Sequence, residues 1–145
     1  MGGLNLYQYA PNPVGWGDPW GWCAVKLSNN MTKDGTVRPE NTAAHHIVGD
    51  TSKRAQPARD ILKKHSIDVD DAKNGVFLPN RNNVDEALSE IKHNGRHPSD
   101  YIDAVNTRII DADKLNGKQG VLDELSKIRD ILSSANRDAS WYTIL

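Results

Sequence analysis

Residues 42–48 read Thr-Ala-Ala-His-His-Ile-Val, and residues 74–79 read Asn-Gly-Val-Phe-Leu-Pro. Each is a short apolar run bounded by turn formers, the pattern of a short half-buried strand. The first run sets two imidazoles side by side. Adjacent strand side chains point to opposite faces, so at most one of His45 and His46 naturally meets a given site. Such an arrangement divides labour: one imidazole can bind a metal while its neighbour, turned away, stays available as a base.

Outward from these runs the chain reads as helices. Thr51 or Ser52 can cap a helix whose apolar positions Ala55, Ala58, Ile61 and Leu62 recur at three-to-four spacing. Val84, Ala87, Leu88 and Ile91 form a second helical stripe, stopped by Asn94-Gly95. Pro98 suits the first turn of a third, with Tyr101, Ile102, Val105 and Ile109 on its inner face. Val121, Leu122, Leu125, Ile128 and Leu132 mark a final helix. Residues 23–41 are turn-rich (Ser28-Asn29-Asn30, Asp34-Gly35, Pro39) and read as loop with room for a short strand. Two or three short strands among four helices make a small α+β domain.

The 145 residues, 37% hydrophobic and 26% charged, suffice for one small domain with an appendage. The appendage is the first 22 residues. They hold three of the four Trp, five of the eleven Gly, three of the seven Pro and a single charge, Asp18. Such a stretch is neither an amphipathic helix nor a solvated linker, and its aromatic side chains call for burial. No apolar run approaches the roughly 18 residues of a membrane helix, and MGGLNLYQYA has neither a basic nor an apolar signal-peptide region. Cys23 is the only cysteine, which excludes an internal disulfide and a multi-cysteine metal cage. A net charge of −1 excludes a globally basic nucleic-acid binder, so a grip on phosphate needs a local patch or a metal ion.

Besides His45-His46, the chain carries His93-Asn94-Gly95-Arg96-His97. Two histidines four apart can converge on one ion from a helix end or a tight loop. His65, in the Lys63-Lys64-His65 run, reads as a solvated helix end. Lys53, Arg54, Arg59, Lys63 and Lys64 against Asp60 make a local basic helix, either a phosphate-tracking face or a solvated one. Asp68, Asp70 and Asp71 hint at a calcium loop, but Ala72 and Lys73 do not fit an EF-hand.

Two resemblances follow from these residues. The arm GGLNLYQYAPNPVGWGDPWGW resembles the end of the Rhs (YD-repeat) shell of bacterial polymorphic toxins. That resemblance implies a shell remnant over residues 1–22 and a toxin domain over 23–145. It implies self-cleavage between Trp22 and Cys23 by an aspartyl protease within the shell, at a motif carried here by Asp18, Pro19, Gly21 and Trp22. The second resemblance rests on Ala44-His45-His46-Ile47-Val48, Ala58-Arg59, Asn74 to Pro79, and His93-x-Gly95-Arg96-His97-Pro98-x-x-Tyr101. In order and spacing these are similar to the AHH nucleases of the HNH (His-Me finger) superfamily.

The AHH resemblance implies a β-hairpin packed on a helix around one divalent metal, Zn2+ or Mg2+. His45, His93 and His97 would be its ligands, with phosphate contact from the next helix's N-terminus as the alternative for His97. His46 would be the general base and Asn74 would pin the loop or orient His46. Arg96, Arg59, Lys53 and Arg54 would contact substrate. An imidazole, with an ordinary pKa of ~6.5, suits a base at neutral pH. Together the resemblances imply a monomeric DNA endonuclease toxin, made in the bacterial cytoplasm within a larger Rhs protein. It would be secreted without a signal peptide, act in the cytoplasm of a target cell and be neutralised by an immunity protein. An RNase of the same fold, and a non-enzymatic module stabilised by structural zinc, are the alternatives.

Overall fold

The computed structural model describes residues 19–40, 42–79, 97–135 and 139–145, with side chains from residue 25 onward. The expected helix around Val84–Ile91 lies outside the described residues. In chain order the elements are α1 (Pro19–Lys33), β1 (Thr42–His46), α2 (Gln56–Lys64), β2 (Gly75–Pro79) and α3 (Ser99–Ser134). The α+β class holds, with one two-stranded antiparallel sheet among the described residues. Its register pairs His46 with Gly75, His45 with Val76 and Ala44 with Phe77.

The stretch read as loop from residue 23 is instead helical. Pro19 opens α1, where its missing N–H costs nothing. Leu27 and Met31, one turn apart, are both buried. They close on the start of β2: a Cβ on Gly75 would stand 2.6 Å from the Met31 sulfur and 2.8 Å from Leu27 Cδ1. Only a glycine allows that approach. Tertiary packing outweighs the weak local helix signal of Ser28-Asn29-Asn30.

Between the strands, Ser52 precedes a single 3-10 turn and its side chain caps nothing, so the helix proper begins at Gln56 with Pro57 in its first turn. Ala58 and Leu62 face the core as expected. The helix ends in a Schellman motif: Ile67 N–H donates to the Leu62 carbonyl (2.9 Å) and Ser66 N–H to that of Lys63 (3.0 Å). Ser66 takes the left-handed conformation there, at φ 58°.

α3 is two arms, not one rod. Its ladder breaks at Asn116 and Gly117, the latter at φ 56°. Residues 16 apart on a straight helix stand about 24 Å apart, yet Arg108 donates to Glu124 across 3.0 Å. Gly120 lets the arms touch, since a Cβ there would lie 2.3 Å from the Ala112 carbonyl oxygen. Tyr101, Val105 and Ile109 from the first arm and Val121, Leu125, Ile128 and Leu132 from the second build one core with Val48, Leu62, Val76 and Leu78. Ile144 and Leu145 pack against that core, and Arg108 also donates to the Leu145 carbonyl (3.3 Å). Among the described residues no helix is long and apolar enough to cross a membrane.

Candidate active site

The two imidazoles of β1 leave the strand on different sides. His45 is buried, 1% exposed. Its Nδ1 lies 2.9 Å from Nε2 of His97. Its Nε2 lies 3.2 Å from the Tyr101 hydroxyl, which donates to the Ile47 carbonyl at 3.2 Å. His97 reaches this position because it immediately precedes Pro98, the cap residue of α3, one turn before Tyr101. The rings of His45 and His97 meet edge-on, 82° apart with centroids at 4.4 Å. Trp141, from the C-terminal segment, packs 4.5 Å from the ring of His97 and 5.4 Å from that of His45. Burial pushes the Tyr101 hydroxyl well above the ordinary phenol range, so it stays protonated.

This pair suits a metal. Two imidazole nitrogens bound to one tetrahedral ion at about 2.0–2.1 Å each stand about 3.3 Å apart, close to the 2.9 Å seen between His45 and His97. Among the described residues no third His, Cys, Asp or Glu joins them into a ligand group. His93, expected as the third ligand, lies outside the described residues, as does Arg96.

His46 has a different neighbourhood. Its Nε2 lies 2.8 Å from Oδ1 of Asp70, with side chains 10% and 17% exposed. Asp70 is held from three directions. Its own N–H donates to the Asp68 carboxylate (2.8 Å), its carbonyl accepts from the Asn30 amide of α1 (2.8 Å), and the turn is closed by Asp71 N–H to the Asp68 carbonyl (2.9 Å). Helix α1 therefore braces the partner of His46.

Asn74 is fully buried and clasps the two ends of the inter-strand segment. Its side-chain oxygen accepts from Val48 N–H (2.8 Å), and its amide donates to the carbonyls of Val48 (3.0 Å) and Val69 (2.8 Å). These bonds occupy both amide hydrogens on backbone, so of its two expected duties the side chain performs the pinning one. Arg129 of α3 tightens the same corner through the carbonyls of Gly75 (3.0 Å) and Lys73 (2.6 Å).

Of the expected substrate cations, Arg54 and Arg59 are engaged by partners within the protein. Arg54 makes a bidentate pair with Asp103, both contacts at 2.8 Å, and holds that carboxyl below its ordinary range. Arg59 donates to the Gly49 carbonyl (2.7 Å) and to Gln56 (2.8 Å). Lys53 is exposed. His65 is no solvated helix end: it is half-buried and bonded to Asp113 at 2.6 Å. Asp18 lies outside the described residues. Pro19, Gly21, Trp22 and Cys23 fall on the backbone of α1, which runs through the expected cleavage junction.

Asp70, Tyr101 and Trp141 were not singled out for chemistry by sequence. Asp70 carries a signal, an acidic run next to a turn, but that pattern points to a calcium loop as readily as to an imidazole partner. Tyr101 carries helical periodicity and a place in the AHH-like motif but no role there, and Trp141 carries neither.

Residues 26–133 match AHH, a nuclease family of the HNH/ENDO VII superfamily with conserved AHH. A 20-residue stretch is 80% identical to the double-stranded DNA deaminase toxin A of Burkholderia cenocepacia (strain H111), covering 14% of this chain and 1% of that protein. No solved structure matches. With the Ala44-His45-His46 run on β1 and most of the chain matched, the protein belongs to the AHH nuclease family.

Proposed function

We propose that this chain is a metal-dependent DNA endonuclease acting as an antibacterial toxin domain. The observation that carries the reading is the His46–Asp70 pair, 2.8 Å between its atoms, beside the His45–His97 imidazoles in an AHH chain. Asp70's carboxylate can only accept, so Nε2 of His46 carries the hydrogen and Nδ1 keeps the lone pair. Nδ1 takes a proton from water as the water oxygen attacks phosphorus and the bond to the 3′ oxygen breaks. The departing oxygen regains a proton from solvent. His45, His97 and His93 would hold the metal. A divalent ion there supplies Lewis-acid neutralisation of the charge that builds on the phosphate. Arg96 and Lys53 would meet the backbone of the substrate, whereas Arg54 and Arg59 would first have to leave their present partners.

The 20-residue stretch shared with a protein named as a DNA deaminase toxin supports a toxin setting. The Rhs-like arm supports delivery within a larger shell, release at Trp22–Cys23, action in a target cell, and neutralisation by an immunity protein in the producer. The test is incubation of the purified chain with plasmid DNA and total RNA, with and without chelator, beside His46→Ala. Metal-dependent nicking lost in the variant supports the reading. Degradation of RNA alone moves the substrate to RNA, and tight zinc binding with neither cleaved replaces the enzyme with a binding module.

A further inference from the structure

Tyr101 is 2% exposed, at the centre of an apolar core. A buried hydroxyl costs free energy unless it is hydrogen-bonded, and phenylalanine would fill the same volume. The hydroxyl therefore serves something other than packing. It touches two groups, the Ile47 carbonyl and Nε2 of His45, each at 3.2 Å.

The direction of these bonds follows from donor and acceptor capacity. A carbonyl only accepts, so the single hydrogen of the phenol goes to Ile47. Toward His45 the phenol oxygen then accepts, which requires the hydrogen of His45 on Nε2. A neutral imidazole with its hydrogen on Nε2 has its lone pair on Nδ1, the atom 2.9 Å from Nε2 of His97. In the metal-free protein that contact closes if His97 donates; a bound metal would take the place of that hydrogen, with His97 then carrying its own on Nδ1. Among the neutral forms of His45, only this assignment makes all three contacts hydrogen bonds at once. Nδ1 is also the nitrogen that faces His97, its proposed co-ligand, and a ligating histidine characteristically donates its other N–H to an outer partner.

We propose that Tyr101 is a positioning residue that locks His45 in its Nε2–H form and so presents Nδ1 as the metal donor, an inference that rests on the metal-nuclease reading. Ile47 directs the phenol, and the phenol directs the ring. The strand thereby treats both its histidines alike: each has Nε2–H tied back, to Tyr101 or to Asp70, and its lone pair on Nδ1, which in His45 faces His97.

The test uses the full chain, free of metal, with 15N-labelled histidine. Long-range 1H–15N correlation reads the hydrogen position on His45, assigned through His45→Ala. The wild type should show the Nε2–H form, and Tyr101→Phe should lose that preference. Zinc alone is then titrated against a competing chelator, counting the zinc that His45→Ala loses. Tyr101→Phe should bind it about 10- to 100-fold more weakly. A purely structural hydroxyl would lower thermal stability and leave the hydrogen position and the zinc affinity unchanged, which overturns the proposal. So does a wild-type His45 with its hydrogen on Nδ1, an outcome readable even if Tyr101→Phe does not fold. If the wild type binds no zinc at His45, the metal reading itself has failed; equal affinity in both proteins is the failure of the inference alone.

Discussion

The molecule contains the same chemical pair twice. His46 meets Asp70 at 2.8 Å and His65 meets Asp113 at 2.6 Å, with all four side chains between 10% and 17% exposed. Distance and burial do not separate them. Their surroundings do. His65 is the residue that ends α2, and it shares Asp113 with Lys64 next to it. Its carboxylate comes from α3, so the pair staples two helices together. His46 ends β1 beside His45, and its carboxylate comes from a short turn hung between Asn30 and Asn74. One pair joins elements that already pack, whereas the other sits next to the His45–His97 imidazoles, the proposed metal ligands. A histidine with a carboxylate is a catalytic candidate only where something nearby needs a proton moved.

The largest effect expected should split the two pairs. His46→Ala should lower cleavage by about 10²–10⁴-fold with the fold intact by circular dichroism. His65→Ala should leave the cleavage rate unchanged while lowering the melting temperature. Equal loss of activity in both would erase the distinction. Asn74→Ala comes next. It strands the buried N–H and carbonyl of Val48 and the part-buried carbonyl of Val69, at about 1–3 kcal/mol for each buried group left unsatisfied. A loss of about 3 kcal/mol in urea unfolding is expected. Chemical shifts should move at His46 and Asp70 and stay in place at His65 and Asp113.

Asp70→Asn should cost less, about tenfold in kcat with KM unchanged. The amide oxygen can still accept from Nε2, while the charge that steadies a protonated imidazole is gone. A fall as large as that of His46→Ala would mean the carboxylate meets substrate directly.

The contrast also shows what a single sequence makes legible. The two strands and the buried faces of α2 and α3 follow from apolar period, because strand alternation and helical spacing are local, whereas the pairing of the strands and the meeting of His45 with His97, 52 residues apart, follow only from the family resemblance. Helix α1 was missed, because Leu27 and Met31 are justified only by Gly75, far along the chain. Asp70 was missed for a related reason: its partner sits 24 residues away, and nothing in an Asp-rich turn says which carboxylate will face an imidazole. His65 was read as solvated because its carboxylate lies 48 residues on. Trp141 reaches the site through the fold of the C-terminal segment, which the family match over residues 26–133 does not include. Local pattern gives elements, and long-range partners decide which polar residues matter.

The smallest effect concerns the helix staple and pH. Hydrogen bonds from Lys64 and then His65 hold the Asp113 carboxyl below its ordinary range. A carboxyl depressed in the folded state contributes stability above its unfolded pKa of about 3.9 and loses it as pH falls through the lower folded value. Wild-type stability should therefore drop on acidification below about pH 4 partly through this group. Asp113→Asn, which cannot titrate, should flatten that part of the acid limb. Urea midpoints of the two proteins should differ most near neutral pH and converge toward pH 3, within about the range that the unfolded carboxyl sets. The gap should also narrow with added salt, since Lys64 is largely exposed. Cleavage by Asp113→Asn, measured where both proteins are folded, should match the wild type. A parallel loss of activity would put the staple in communication with His46 and end the separation of the two pairs.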